Sequence, residues 1–177
     1  MTSGLRERKK TATRLALHEA ALRLVAERGL DRVSVDEIAA RADVSPRTFF
    51  NYFPAKDDAV LGLDPAGPQR QVQEFLGRPA GESALQALRA VARDQAAEMA
   101  QETDLWPLRL RVIESHPVLI GRLTAVFGES ERTLAEAIAQ RTGTRFGTDV
   151  LPTLLAGAAG VAMRTSLHRW LATDFTA

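Results

Sequence analysis

Three observations predict an all-α fold. Apolar residues recur at helical spacing in nearly every segment. Helix start and stop signals punctuate the chain at short intervals, among them Ser34-Val-Asp-Glu37, Ser45-Pro46, Gly29 and Gly143. Alternating Val/Ile/Thr/aromatic runs bounded by turns, the mark of strands, are absent. With 177 residues, 45% of them hydrophobic, the chain can bury a sizeable core.

The elements follow in order. Leu17, Ala20, Ala21, Leu24 and Val25 fall on one helical face, and Gly29 follows Arg28, so the spacing predicts an amphipathic helix over Thr11–Arg28. Ser34 and Glu37 fit a capping box, in which a hydroxyl and a carboxylate each satisfy an otherwise orphan backbone N–H. The short helix after it has Ile38, Ala39 and Ala42 as its apolar face, and Asp43 and Val44 make a turn. Ser45 caps a third helix, and Pro46 takes its first position, where a missing N–H costs nothing. That helix is predicted to run to about Tyr52, with Pro54 ending it. Lys56-Asp57-Asp58 opens a fourth, its acids suited to the positive end of the helix dipole.

Two prolines and a glycine within Leu63–Pro68 break the helical pattern. Helix resumes through Val72 and Phe75 and stops by Arg78-Pro-Ala-Gly81. Longer helices are predicted from Ser83 to about Glu102, Asp104 to Glu114, Pro117 to about Arg141 and, capped by Asp149, Val150 to about Ala172. The functional boundary is placed in the Leu63–Pro68 region, giving a head over 1–63 and a body over 64–177.

Composition excludes several classes. There is no cysteine, which removes disulfide scaffolds, thiolate zinc sites and cysteine nucleophiles. His18, His116 and His168 lack metal-ligand spacing, no glycine-rich phosphate loop occurs, and serine, aspartate and histidine form no catalytic pattern. No catalytic residue, metal or cofactor is expected. The longest apolar stretch, Leu154–Met163, is far short of a membrane span, and the N-terminus lacks an apolar signal core, so a cytoplasmic protein is expected.

The formal net charge of +1 hides an uneven distribution. Residues 1–60 carry 11 Lys/Arg and 9 Asp/Glu, and the rest carry 12 and 13. Arg6, Arg8, Lys9, Lys10 and Arg14 face only Glu7 in the first fourteen residues, a short arm that is either a solvated tail or a nucleic-acid contact. Four of the ten aromatic residues are Phe49, Phe50, Tyr52 and Phe53.

Val33 to Tyr52 reads as short helix, turn and short capped helix, the pattern of a helix-turn-helix. Such a second helix presents its N-terminal end to the major groove and packs its other face on the rest of the head. Val44, Phe49 and Phe53 suit the packed face. Ser45, Pro46, Arg47, Thr48, Phe50 and Asn51 suit the presented end, with Phe50 a candidate for a thymine methyl; Tyr52 and Lys56 are placed to meet phosphates.

The run Thr48-Phe-Phe-Asn-Tyr-Phe-Pro-Ala-Lys56, preceded by Val33-Ser-Val-Asp-Glu-Ile-Ala-Ala-Arg-Ala-Asp-Val-Ser-Pro46, resembles the DNA-binding domain of the TetR family of transcriptional regulators. The C-terminal half is weakly similar to actinobacterial members. The resemblance implies a DNA-binding head, a divergent ligand-binding body, a homodimer formed through the last helices, and repression of a double-stranded operator relieved by a small-molecule effector. It implies phosphate contacts by Thr48, Tyr52 and Lys56 and a base-edge contact by Arg47.

Three features depart from the family pattern. Asp43 stands where glycine is common, Ala55 where a capping Ser or Asn is common, and the Pro65–Pro68 break interrupts the helix that usually joins head to body. Pocket candidates are Gln95, Met99, Trp106, Leu110, Ile113, Phe127 and Met163, each of which plain core packing would also explain. Gln95, Arg109, Arg111 and His116 are the polar groups that could orient a ligand. Dimer candidates are Leu154, Ala158, Val161, Thr165 and Trp170, with Gly157 and Gly160 small enough for a close helix approach. The interface is expected in the last two helices here, or with residues beyond 177. The competing reading is a helical interaction or ligand-carrier module that does not bind DNA and shows no salt-dependent duplex binding.

Overall fold

The computed structural model describes residues 3–99 and 105–172, with side chains described for 8–97, 105–166 and 169. Among the described residues there are nine α-helices, one 3-10 turn and no strand. They are α1 (Ser3–Arg28), the 3-10 turn (Leu30–Arg32), α2 (Val35–Arg41), α3 (Pro46–Phe50), α4 (Lys56–Leu61), α5 (Gly67–Leu76), α6 (Ala84–Met99), α7 (Trp106–Ser115), α8 (Pro117–Thr142) and α9 (Val150–Ala172). No helix is long and apolar enough to cross a membrane, among the described residues.

The chain divides into two compact units. The first comprises residues 1–65 and 105–123; the second comprises 66–104 and 124–177. Helix α8 starts in the first and continues into the second.

In the first unit α1 packs against α2, α4 and α7. The predicted face of α1 is buried, and Leu22 and His18 widen it. Leu17, Leu24, Ile38, Phe49, Phe53, Val60 and Leu61 form one apolar cluster. Val112 of α7 and Leu119 of α8 complete it, which is why this distant stretch belongs to the first unit. In the second unit Phe75, Leu88, Val91, Leu134, Ile138 and Ala156 form another, contributed by α5, α6, α8 and α9.

Local chemistry sets the ends of the elements. The Ser34 capping box is complete: the Glu37 N–H donates to Ser34 Oγ at 3.2 Å and the Ser34 N–H to Glu37 Oε2 at 2.9 Å. The Ser34 N–H and the Arg28 guanidinium hold the Glu37 carboxyl down to about 2. Ser83 caps α6 as its sequence position predicts, and Gln86 makes this a second box: the Gln86 N–H donates to Ser83 Oγ at 3.3 Å and the Ser83 N–H to Gln86 Oε1 at 2.8 Å. Asp43 adopts φ 55, and the Val44 N–H reaches the Ala39 carbonyl at 3.0 Å while that of Asp43 reaches Ala40. This is the Schellman closure usually made with glycine.

Several boundaries differ from the sequence expectation. Helix α1 starts at Ser3 rather than Thr11, so the basic arm continues the helix. Helix α3 ends at Phe50 rather than Tyr52. Asn51 and Tyr52 already bond three residues back, and Pro54 disfavours helical angles at the residue before it. Helix α4 spans 6 residues and stops at Gly62, φ 63, ahead of the prolines. The predicted helix end at Glu102 and start at Asp104 lie outside the described residues.

Arg141, at the end of α8, ties down the α5–α6 loop. Its guanidinium donates to the carbonyls of Phe75, Arg78, Pro79 and Glu82 and lies 5.5 Å from the Phe75 ring centroid.

Candidate nucleic-acid interface

Helix α3 is short, so its orientation depends on anchors. Phe49 and Phe53 are fully buried, with ring centroids 5.9 Å apart, and Val44 packs beside them. Ser45 Oγ accepts the Thr48 N–H at 3.1 Å and shares a 2.9 Å hydrogen bond with Thr48 Oγ1. Pro46 occupies the first turn.

With that face fixed, the other face is open. Ser45, Pro46, Arg47, Phe50 and Asn51 are exposed. Phe50 is the notable one: 57% of its surface meets solvent, and its ring stands edge-on to Phe49 at 5.3 Å and 84°. More than half of this ring is therefore free to meet a partner, while its edge still packs on Phe49. Thr48 is half-buried, and Tyr52 is half-buried against the apolar cluster.

Lys56 is half-buried at the start of α4, where Ala55 supplies no side-chain cap. Its ammonium donates to the Leu30 carbonyl at 2.6 Å and to the Val33 carbonyl at 3.0 Å. Two of its three N–H groups are thereby used. The basic arm lies toward the other end of α4, since Arg14 donates to the Gly62 carbonyl at 3.4 Å.

Polar groups with no local signal complete the first unit. His18 is buried and its Nδ1–H donates to the Ala59 carbonyl at 2.7 Å. Asp58 is 2% exposed, and Arg122 Nε donates to its Oδ1 at 2.8 Å. Asp58 Oδ2 is buried without a hydrogen-bond partner among the described residues. These contacts join residues 41 and 64 apart, a separation no short motif reports.

The pocket candidates divide between the units. Trp106, Leu110 and Ile113 lie on α7 in the first. Trp106 is buried with Arg109 stacked 4.5 Å from its ring centroid, and Ile113 packs on the apolar cluster. Gln95, Phe127 and Met163 are half-buried in the second, where Gln95 Oε1 accepts from Gln71 at 3.5 Å. The side chains of Met99 and Trp170 lie outside the described residues. A cleft of about 400 Å³ in the first unit is lined by Val25, Gly29, Leu108, Arg111, Ser115 and His116 among others; none of the seven candidates lines it.

On α9, Leu154, Ala158, Val161 and Thr165 are exposed, while Ala156 is buried and Leu155 half-buried. At Gly160 a Cβ would meet the Glu131 carboxylate, which pairs with Arg164 at 2.7 Å, so that flexible pair would have to shift. Gly157 meets nothing within 4 Å.

A capped short helix bolted by two phenylalanines and open on its other face, preceded by a second helix and a left-handed turn, defines a helix-turn-helix protein of the DNA-reading class. The family is settled by comparison with known proteins. Residues 17–61 match the family model for bacterial regulatory proteins of the tetR family, and residues 82–177 match the MftR C-terminal domain model. The HTH-type transcriptional regulator TcmR of Streptomyces glaucescens is 32% identical over 174 residues, covering 94% of this chain and 76% of that protein. The transcriptional regulator MftR of Mycobacterium tuberculosis is 30% identical over 166 residues, covering 93% and 82%. A crystal structure of a TetR transcriptional regulator from Rhodococcus sp. RHA1 aligns at 22% identity and a TM-score of 0.37, covering 94% of this chain and 84% of that one. The chain belongs to the TetR family of transcriptional regulators.

Proposed function

We propose that this regulator is a cytoplasmic homodimer that represses transcription. Each protomer sets one Pro46–Tyr52 segment in a major groove of a double-stranded operator, and a small-molecule effector releases it. Residues 1–63 are the reading part; 64–177 carry effector binding and dimerisation, with 105–123 lent to the first unit. The observation that carries this is the exposed Arg47–Phe50–Asn51 face on a helix whose opposite face is fully buried. In this reading Arg47 and Asn51 meet base edges, Phe50 a pyrimidine methyl, and Thr48, Tyr52 and Lys56 phosphates; Ser45 and Pro46 fix the helix start. The exposed stripe Leu154, Ala158, Val161 and Thr165 supports a dimer seam on α9. Gln95, Phe127 and Met163 are retained as candidates for effector contact. An effector releases DNA only by binding one conformation better than the other.

The test is selection of bound sequences from random duplex DNA. Arg47→Ala is expected to relax preference at one position by about 1–3 kcal/mol, and Lys56→Ala to weaken all sequences alike. Absence of salt-dependent duplex binding by the wild-type protein would refute the proposal.

A further inference from the structure

We infer that His116, which belongs by sequence to the body, is a positioning residue of the DNA-reading surface, acting through Leu30 on Lys56. The inference rests on the reading above, in which Lys56 meets a phosphate.

The argument begins with a tautomer. His116 Nδ1 lies 2.7 Å from the Val112 carbonyl, and a carbonyl only accepts, so Nδ1 carries the proton. Nε2 is then a lone pair, and it faces the Leu30 N–H at 3.3 Å. That N–H opens the 3-10 turn, where first donors lack partners within the helix. The residue before it is Gly29, which has no side chain to cap with. His116 supplies the missing acceptor from 86 residues away.

The other polar group of Leu30 points the argument onward. Its carbonyl accepts from the Lys56 ammonium at 2.6 Å, and its side chain is buried. Leu30 is therefore held by His116 at its N–H, by Lys56 at its carbonyl and by the core at its side chain. Lys56, fixed by the Leu30 and Val33 carbonyls, keeps one N–H for a phosphate. Without the His116 acceptor the turn loses its fixed start, and the ammonium loses a stationary anchor.

The probe is the duplex recovered by selection, and the readout is the slope of log Kd against log salt. Lys56→Ala should lower the slope by about 0.9 per head. His116→Phe, which keeps a ring of similar size and removes both nitrogens, should lower it by a similar amount. The double variant should have the slope of Lys56→Ala alone, and His116→Gln should recover at least half of the loss. A purely structural role would shift the melting midpoint without this non-additivity on Lys56. If Lys56→Ala lowers the slope and His116→Phe does not, or the double variant falls below Lys56→Ala, the inference about His116 is overturned. If Lys56→Ala leaves the slope unchanged, the phosphate role of Lys56 fails, and the positioning role with it. A second measurement needs no variant: nitrogen–proton correlation NMR of the imidazoles in the wild-type protein should show His116 protonated at Nδ1. Protonation at Nε2 alone would overturn the inference, because Nε2–H cannot accept from Leu30.

Discussion

Acidifying the protein through the range pH 6.5 to 4 should cost it the stability that depends on a neutral His18. The side chain is 4% exposed. Burial pulls its pKa from 6.5 down to about 4; the nearby positive charge of Arg109 and, less, of Arg14 acts in the same direction, while the bond to the Ala59 carbonyl opposes it. The folded value lies below the unfolded one, so between them the unfolded chain takes up the proton more readily. Stability is therefore fully present above pH 6.5 and falls as pH drops toward 4. A gap of about 2.5, at ~1.4 kcal/mol for each unit of pH, amounts to roughly 3 kcal/mol. Against a typical total of about 5–15 kcal/mol this is a large fraction. The assay is urea unfolding at pH 7.5, 6.5, 5.5 and 4.5, on the wild type and on His18→Gln, which keeps a donor for Ala59 and does not titrate. The Glu37 carboxyl, held down to about 2, contributes stability that is present above its ordinary value of 4.5 and lost below it, outside most of this window. The wild-type midpoint should fall toward that of the variant as pH drops. Parallel curves for the two proteins would refute the reasoning.

Three further outcomes are expected. Gly62→Ala should destabilise by at least about 1–2 kcal/mol in urea unfolding, because φ 63 disfavours a Cβ and that Cβ would sit 2.9–3.1 Å from the His18 ring. Arg122→Ala should cost about 2–3 kcal/mol by leaving the Asp58 carboxylate buried and unpaired, a figure kept low because Arg122 is half-exposed; adding Asp58→Asn should recover part of it in a double-mutant cycle. Arg141→Lys should cost about 1–2 kcal/mol in urea unfolding, since a compact ammonium cannot reach four carbonyls as a planar guanidinium does.

What the sequence made legible is local. Ser34 with Glu37, Ser45 with Pro46 and Gly143 are signals within one turn of chain, and the elements they bound appear where expected. The buried Phe49 and Phe53 and the packed Val44 were readable because a recognition helix needs one anchored face. Boundaries failed where two signals competed. Gly62 ends α4 before the more conspicuous Pro65 and Pro68, since one left-handed residue already closes a helix. Helix α1 reaches Ser3 because its arginines and lysines favour helix as well as solvent. The contacts of His18, Asp58 and Lys56 were invisible because their partners are other helices or loops far along the chain. His116, at first a candidate for orienting a ligand, has both ring nitrogens engaged in the first unit.

The discontinuous make-up of the first unit bears on the order in which the protein can be made. When residue 65 leaves the ribosome, the places of Val112 and Leu119 in the head's core are still unfilled. The last piece, residue 123, follows 58 residues later, about 3–12 s at common synthesis rates of roughly 5–20 residues per second. Until then Asp58 lacks Arg122 and the Leu30 N–H lacks His116, so water must serve both. A nascent chain therefore cannot complete the core of its head before residue 123 has been made. A chimera cut at residue 63 would carry that unfinished head permanently; one that also transplants residues 105–123 would not.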